Sequence, residues 1–321
     1  VYKIYIDSKI MNKRYDISEL ATDISISFHR IGTASKLEFS LVKDDIISYG
    51  EGDCVLFYDD NIPVFKGYVF TKVSNEKKVI KTTCYDQLRY LKAKDSFQFK
   101  GESLKEIIER IANRFKLSVG SIEDIGYTTP YYNHEDESLL DIITYHIQQA
   151  IVLKGTLINF YDDFGKLTVK SASKMVSKYV IGYESLAQGY SYKTDIDSDT
   201  YNLIKLVRPN EATKKAEVFQ KQDSDKIKRW GTLQYYEVMD ENLNDAQILD
   251  YLKQLFEYHN KVFRSLSIDA IGIPGLRGGH TVYIDIPNIG DISVNKYLIV
   301  DSVTHKYKNN NHTMSLELTV R

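Results

Sequence analysis

The sequence predicts a β-rich α+β chain in three parts, with a small barrel-like sheet at each end and a helix-containing α/β part between them. Three observations predict it. Apolar and polar residues alternate with period two through residues 1–95, the spacing turns helical near residue 100, and strand-like runs return after residue 260. At 321 residues, 43% of them hydrophobic, the chain is long enough for two or three domains with cores of their own.

In the first part, Val1-Tyr2-Lys3-Ile4-Tyr5-Ile6 reads as a strand and not as an export signal. Ile24, Ile26 and Phe28 alternate with Ser25 and Ser27, and Leu37, Phe39 and Leu41 alternate with Glu38 and Ser40. Gly52-Asp53 opens the run Val55-Leu56-Phe57-Tyr58, Asp59-Asp60-Asn61 is a turn, and Val64-Phe65 with Gly67-Tyr68-Val69-Phe70 returns. Asn75-Glu76-Lys77-Lys78 turns again into Val79-Ile80 and Thr82-Thr83. Short strands at this spacing suggest a closed or half-closed barrel over 1–95.

The middle part, 96–184, is predicted as helix–helix–hairpin. Ser103 and Glu106 form a capping box ahead of Leu104, Ile107, Ile108, Ile111 and Phe115. Ser138 starts a second helix with the face Leu139, Ile142, Ile143, Ile147 and Ile151, and Gly155 is placed to end it. The hairpin runs from Leu157-Ile158-Asn159-Phe160-Tyr161 through Asp162-Asp163-Phe164-Gly165 to Leu167-Thr168-Val169.

The last part, 185–321, is mixed. Strands are expected at 201–207 and 218–219, with a polar turn at 211–215 between them. A long helix over about 244–262 is capped by Asn244, with Ile248, Leu252, Leu255, Phe256 and His259 on its core face. Further strands are expected at 265–271, 281–286, 297–303 and 313–320. Gly52-Asp53-Cys54-Val55-Leu56-Phe57 shares its syntax with Gly279-His280-Thr281-Val282-Tyr283-Ile284, and Phe70-Thr71-Lys72-Val73 with Val300-Asp301-Ser302-Val303. Either two barrels of one kind begin and end the chain, or two antiparallel meanders merely look alike.

The chemistry-bearing patterns point away from catalysis. A net charge of -2 gives no basic footprint for nucleic acid, and no apolar run approaches a membrane span. Cys54 and Cys84 are read as buried free thiols of a chain made in a reducing compartment, with no CxxC signature. Asp195-x-Asp197-x-Asp199 starts like a calcium loop but has Thr200 and Leu206 where Gly and Glu are needed, so it reads as a solvated acidic turn. Gly272, Gly275, Gly278 and Gly279 precede a strand and not a helix, so a hairpin turn is expected there and not a phosphate cradle. His305 and His312 flank a predicted hairpin tip at 308–311 with Asp301 nearby, and are read as exposed polar residues and not zinc ligands. Neither Gly-x-Ser-x-Gly nor a Cys–His pairing is present. No catalytic, cofactor-binding or metal-binding residue is assigned. The 25 Tyr, against one Trp and five Pro, suit strands and protein interfaces, as they would also suit ordinary sheet positions.

Tyr161-Asp162-Asp163-Phe164-Gly165-Lys166-Leu167-Thr168-Val169 resembles the hairpin of the XkdQ-type hub proteins of PBSX-like defective prophages and tailocins. So does Trp230-Gly231-Thr232-Leu233-Gln234-Tyr235-Tyr236, followed by Asp240-Glu241-Asn242 and Ala246-Gln247-Ile248. Tyr201-Asn202-Leu203-Ile204-Lys205-Leu206-Val207 is similar to that family's strand into its last domain. The likeness keeps its order over most of the chain and lapses at 272–279.

The resemblance implies a myophage tail-hub fold: two tail-tube-like β-barrel domains, 1–95 and 185–321, flanking the α/β domain 96–184. It implies a structural baseplate hub subunit of a contractile tail or tailocin, not an enzyme. A homotrimer would form a pseudo-sixfold ring joining the sixfold tail tube to the threefold central spike. The implied partners are further copies of the chain, the tail tube protein, the central spike protein, and other baseplate and tape-measure proteins, with neither membrane insertion nor specific nucleic-acid binding. Such a protein is made in the bacterial cytoplasm, built into the tail particle and released by lysis. Trp230, Tyr235 and Tyr236 are the candidate anchors of the third part, with plain core packing as the rival account. The rival functions are a tail-associated peptidoglycan hydrolase and a cell-wall-binding protein.

Overall fold

The structure, a computed structural model, describes residues 1–44, 46–183, 185–210, 215–241, 243–289, 292–308 and 311–320. It is β-rich α+β, as the periodicities predict. The first part supplies β1 (Tyr2–Ser8), β2 (Lys13–Asp16), β3 (Thr22–His29), β4 (Lys36–Val42), β5 (Cys54–Asp59), β6 (Ile62–Ser74) and β7 (Val79–Tyr85). The alternation in β3 and β4 has its physical meaning here: Ile24, Ile26, Phe28, Leu37, Phe39 and Leu41 all point into one core while their polar neighbours face out.

The middle part contains β8 (Lys94–Phe99), α1 (Leu104–Arg114), β9 (Val119–Ile122), β10 (Tyr132–Ser138), α2 (Leu139–Lys154), β11 (Ile158–Asp162) and β12 (Leu167–Ser171). Its helices begin and end where their caps dictate. Ser103 and Glu106 close a reciprocal capping box on α1, Ser138 accepts from the Asp141 amide at the start of α2, and Gly155 ends α2 at φ 63. The α1 and α2 apolar faces, with Phe97, Phe99, Phe160 and Val169, make a second core.

The end of the segment 96–184 supplies β13 (Val176–Gly182), which pairs with a strand of the last part in the main sheet, and the last part opens with β14 (Ala187–Asp195) and then leaves that sheet. Next, β15 (Leu203–Asn210), β16 (Lys215–Gln222), α3 (Ser224–Trp230), β17 (Gln234–Val238) and α4 (Asp245–His259) form a compact unit. The two strands expected near 201–207 and 218–219 pair with each other, and the first also pairs with β17, so neither joins the large sheet. Ile204 and Leu206 pack on Ile248, Leu252 and Leu255 of α4 in a third core. α4 carries its own capping box, Asn244 with Gln247. The expected turn at 211–215 falls, but for Lys215, outside the described residues, as do Asn242 and the two central residues of the tip at 308–311.

The chain ends in β18 (Phe263–Ile271), β19 (Thr281–Ile289), β20 (Ile292–Lys308) and β21 (Asn311–Thr319). These strands join those of the first part in one 13-stranded sheet, ordered β14-β18-β21-β20-β3-β4-β7-β6-β5-β1-β2, with β19 and β13 branching from β20. Core side chains from both ends of the chain, such as Phe39, Val69, Leu266, Val300 and Leu316, share one apolar cluster. The loop at 272–280 is a crossover and not the expected hairpin, because β18 pairs with β14 and β21 while β19 pairs with β13 and β20. No helix among the described residues is long and apolar enough to cross a membrane.

Candidate assembly interface

The similar syntax of 52–57 and 279–284 is matched bond for bond. Gly52 and Gly279 both take positive φ, 83° and 97°. Each donates its amide to a valine carbonyl on the long strand: Gly52 to Val69 at 2.8 Å, Gly279 to Val300 at 2.7 Å. Each valine amide returns a bond to the residue after the glycine, Asp53 or His280, at 2.9 Å in both cases. Each long strand then bulges one residue later, between Val69 and Thr71 and between Val300 and Ser302. Val69 is therefore the counterpart of Val300, one residue earlier than the sequence comparison places it. The correspondence continues outward: Leu37 faces Cys84 as Leu266 faces Leu318, and Ser27 faces Lys36 as Lys193 faces Ser265.

The two repeats meet inside the chain through β3 and β20. They pair antiparallel from His29–Ser302 to Ile24–Tyr307, and the Ser27 and Thr304 hydroxyls lie 2.9 Å apart. In the second repeat β14 stands where β3 stands in the first, and residues 71–74 of β6 stand where β20 meets β3. Among the described residues neither the outer edge of β14 nor the outer edge of 71–74 has a strand partner. A sheet edge of nine residues is a template for another strand.

Exposed apolar side chains also occur on β13 and β14. Val176, Tyr179 and Val180 on β13, Tyr183 just after it and Tyr190 on β14 are all well exposed, Tyr183 to 66%. The register runs Val180–Tyr283–Tyr297 across β13, β19 and β20, with the two tyrosine rings 5.1 Å apart. A contiguous exposed apolar stripe of this kind marks a contact surface.

A buried joint fixes the three parts relative to one another. The Arg277 guanidinium is largely enclosed, stacked 4.9 Å from the Phe28 ring and 4.1 Å from the Tyr161 ring, and donates to the Asp162 carbonyl at 2.7 Å. Burial pulls its pKa below the ordinary arginine value. Burial also raises the Asp162 and Asp86 carboxyls, each pushed further by a neighbouring carboxylate, while Gln87 donates to Asp162 at 2.8 Å. Asn159 donates to the Gly279 carbonyl, and Arg30 exchanges bonds with Ile158 and Phe160. The glycines of 272–279 are demanded by close approach: a Cβ on Gly278 would lie 2.6 Å from the His29–Arg30 backbone.

The candidate anchors sit apart from this joint. Trp230 ends α3, half-buried, with the Lys226 ammonium 5.7 Å from its ring. Tyr235 is half-buried against Tyr201 and His259 and donates to Glu237 at 2.9 Å, whereas Tyr236 is 53% exposed. The expectation that His305 and His312 are exposed is corrected. His305 is buried, its Nδ1 2.9 Å from His312 Nε2 and its Nε2 donating to the Leu276 carbonyl at 2.6 Å. The carboxylate beside them is Asp59, 3.5 Å from His312, because Asp301 turns to Arg30 and Thr319. No group of three or more metal-ligating side chains occurs among the described residues. Asp195 caps its own turn by accepting from the amides of Asp197 and Ser198. Both cysteines are free. Arg277 is the residue that sequence reasoning missed; an arginine between glycines in a segment with no assigned role was the available signal.

Comparison with known proteins places the fold. The YQBQ-like family model matches residues 24–319. Protein YqbQ of Bacillus subtilis (strain 168) is 34% identical over 274 residues, covering 84% of this chain and 82% of that protein. The phage-like element PBSX protein XkdQ of the same organism is 29% identical over 306 residues, covering 93% and 92%. Among solved structures, the 43 kDa tail protein of prophage MuSo2 from Shewanella oneidensis superposes with a TM-score of 0.70 at 15% identity, over 99% of this chain and 98% of that one.

Proposed function

We propose that this chain, which belongs to the YQBQ-like family, is a structural hub subunit of a contractile-tail or tailocin baseplate. Three copies would close a ring of six similar sheet units between the tail tube and the central spike. The fold is shared with a prophage tail protein, and one relative belongs to the phage-like element PBSX. The observation that carries the ring is the in-chain pairing of β3 with β20, repeated in outline by an unpaired β14 and an unpaired stretch 71–74. When one chain joins unit to unit through β3 and β20, the same rotation applied again brings β14 of one copy against β6 of the next. Two units per chain then close after three chains. The exposed Val180–Tyr283–Tyr297 stripe would be covered in the process.

In this reading 1–95 and 185–321 each contribute one tube-like barrel unit to the ring wall. The domain 96–184, apart from β13 which pairs with β19 in the wall, and the insertion from β15 to α4 lie outside it and meet other baseplate and tape-measure proteins. The protein is made in the bacterial cytoplasm, enters the tail particle and leaves by lysis. Its working surfaces are contacts, so no catalytic residue is assigned.

Cross-linking tests the closure. Val73 and Lys193 are the counterparts of Thr304 and Ser27, whose side chains touch across the in-chain seam. In assembled tails a Val73→Cys, Lys193→Cys double variant should oxidise to dimers and trimers and no larger species, since facing positions in such a pair suit a disulfide. Monomer alone after oxidation, from particles that contain the protein, overturns the proposed pairing.

A further inference from the structure

The cleft between the middle part and the β15–α4 unit holds a second binding surface, unconnected with the sheet edges. A cavity of about 340 Å³ opens between α2, the segment leading into β10, the end of β17 and α4. Its walls are aromatic: Tyr131, Tyr132, Tyr145 and Tyr251 all face it, with the Tyr132 and Tyr145 rings 4.5 Å apart. Its charge is of one sign. Glu237, Asp240 and Asp250 line it, and no Lys, Arg or His is among its described lining residues.

Glu237 is the inner carboxylate, half-buried and held by tyrosine hydroxyls. Tyr235 and Tyr251 donate to its Oε2 at 2.9 and 3.0 Å, while among the described residues its Oε1 receives only a long bond from Tyr145 at 3.4 Å. Gln149 donates to the Tyr251 hydroxyl at 2.7 Å and so fixes the direction of that hydroxyl. Oε1 therefore keeps acceptor capacity on a surface flanked by ring faces. Burial raises the Glu237 pKa, as expected of a carboxylate held by hydroxyls and not by a counter-charge. His134, which packs on the far side of Tyr132, is held below its usual pKa by burial and adds no positive charge near neutral pH.

We propose that this cavity binds an organic cation, a guanidinium or ammonium group, seated on the tyrosine faces with Glu237 as its anion. Ring faces and carboxylates both attract a cation electrostatically. An anion is repelled by the carboxylates, and a neutral sugar, which can stack on the rings and donate hydroxyls to the carboxylates, lacks the charge attraction that a cation gains. The volume suits a basic side chain of a partner protein or a small free polyamine.

Titration of the full-length protein, followed by saturation-transfer NMR, tests this with four probes: N-acetyl-arginine amide, its neutral counterpart N-acetyl-citrulline amide, spermidine and chitotriose. The arginine amide or spermidine should bind about tenfold or more tightly than the citrulline amide. Glu237→Gln should weaken that binding by a similar factor. Asp250→Asn, at an exposed rim position, should weaken it less and keeps the test alive where Glu237→Gln fails to fold. A preference for spermidine assigns the ligand to a free amine, and a preference for the arginine amide assigns it to a partner chain; both support the cation site. Equal binding of the arginine and citrulline amides, binding of chitotriose but of neither cation, or cation binding unchanged in both variants overturns it.

Discussion

The Ser27 and Thr304 side-chain oxygens meet at 2.9 Å across the pairing of β3 with β20, joining positions 277 residues apart in sequence. This seam makes one continuous sheet of the first and last parts of the chain, and it is the template for the contact proposed between copies.

Gly279→Ala should destabilise the protein by about 1–3 kcal/mol. Its φ of 97° is unfavourable to any residue with a Cβ, and that Cβ would sit 2.6 Å from the Asn159 side chain. Gly189→Ala, where nothing lies within 4 Å and φ is ordinary, should change stability little. Urea unfolding of the two variants checks both.

Arg277→Met should cost about 3 kcal/mol or more, although methionine fills much of the same space. The loss comes from the bond to the Asp162 carbonyl and the stacking between the Phe28 and Tyr161 rings, with a smaller part from the cation withdrawn from near the Asp162 and Asp86 carboxyls. Thermal unfolding should register it as a large fall in Tm.

Stability should fall on acidification through the His305–His312 pair. Burial holds each imidazole down to about 4, below the roughly 6.5 of an unfolded histidine. The unfolded chain takes up these protons first, so the contribution is whole above about pH 6.5 and drains away as pH falls towards 4. For the fully buried His305 the loss approaches about 3 kcal/mol, and the more exposed His312 adds less because solvent screens it. Urea midpoints compared at about pH 7.5 and about pH 5 should converge in a His305→Gln, His312→Gln variant relative to the parent.

Tyr235→Phe should cost about 1 kcal/mol by removing a donor from Glu237, whereas Tyr236→Ala should stay within about 0.5 kcal/mol. If Tyr236 is an anchor between proteins, its alanine variant keeps its Tm and loses incorporation into particles. A gel containing peptidoglycan should show no clearing by the purified protein. Clearing abolished by one carboxylate substitution would favour the hydrolase reading.

Local order was legible in the sequence and long-range order was not. The period-two runs of β3 and β4, the Ser103–Glu106 box, the Ser138 and Asn244 caps and the Gly155 stop each act within a few residues, so their spacing carries the signal. Alternation says which face of a strand is buried but not which strand lies beside it, and so the β3–β20 pairing could not be read. The same limit hid the burial of His305 and Arg277, whose enclosing side chains come from distant segments. The repeat was visible through two glycine-led strands, yet its register was one residue out because the backbone bonds that join Gly52 to Val69 and Gly279 to Val300 leave no mark in composition. The Glu237 cluster draws tyrosines from α2, β17 and α4, and no spacing in the chain announces it.

The ring itself is tested most directly by a cryo-electron reconstruction of the intact tail tip. The account predicts three copies of this chain around the axis, with β14 of each continuing the sheet of its neighbour beside residues 71–74. A map with six copies or one, or with β14 facing solvent in every copy, contradicts it.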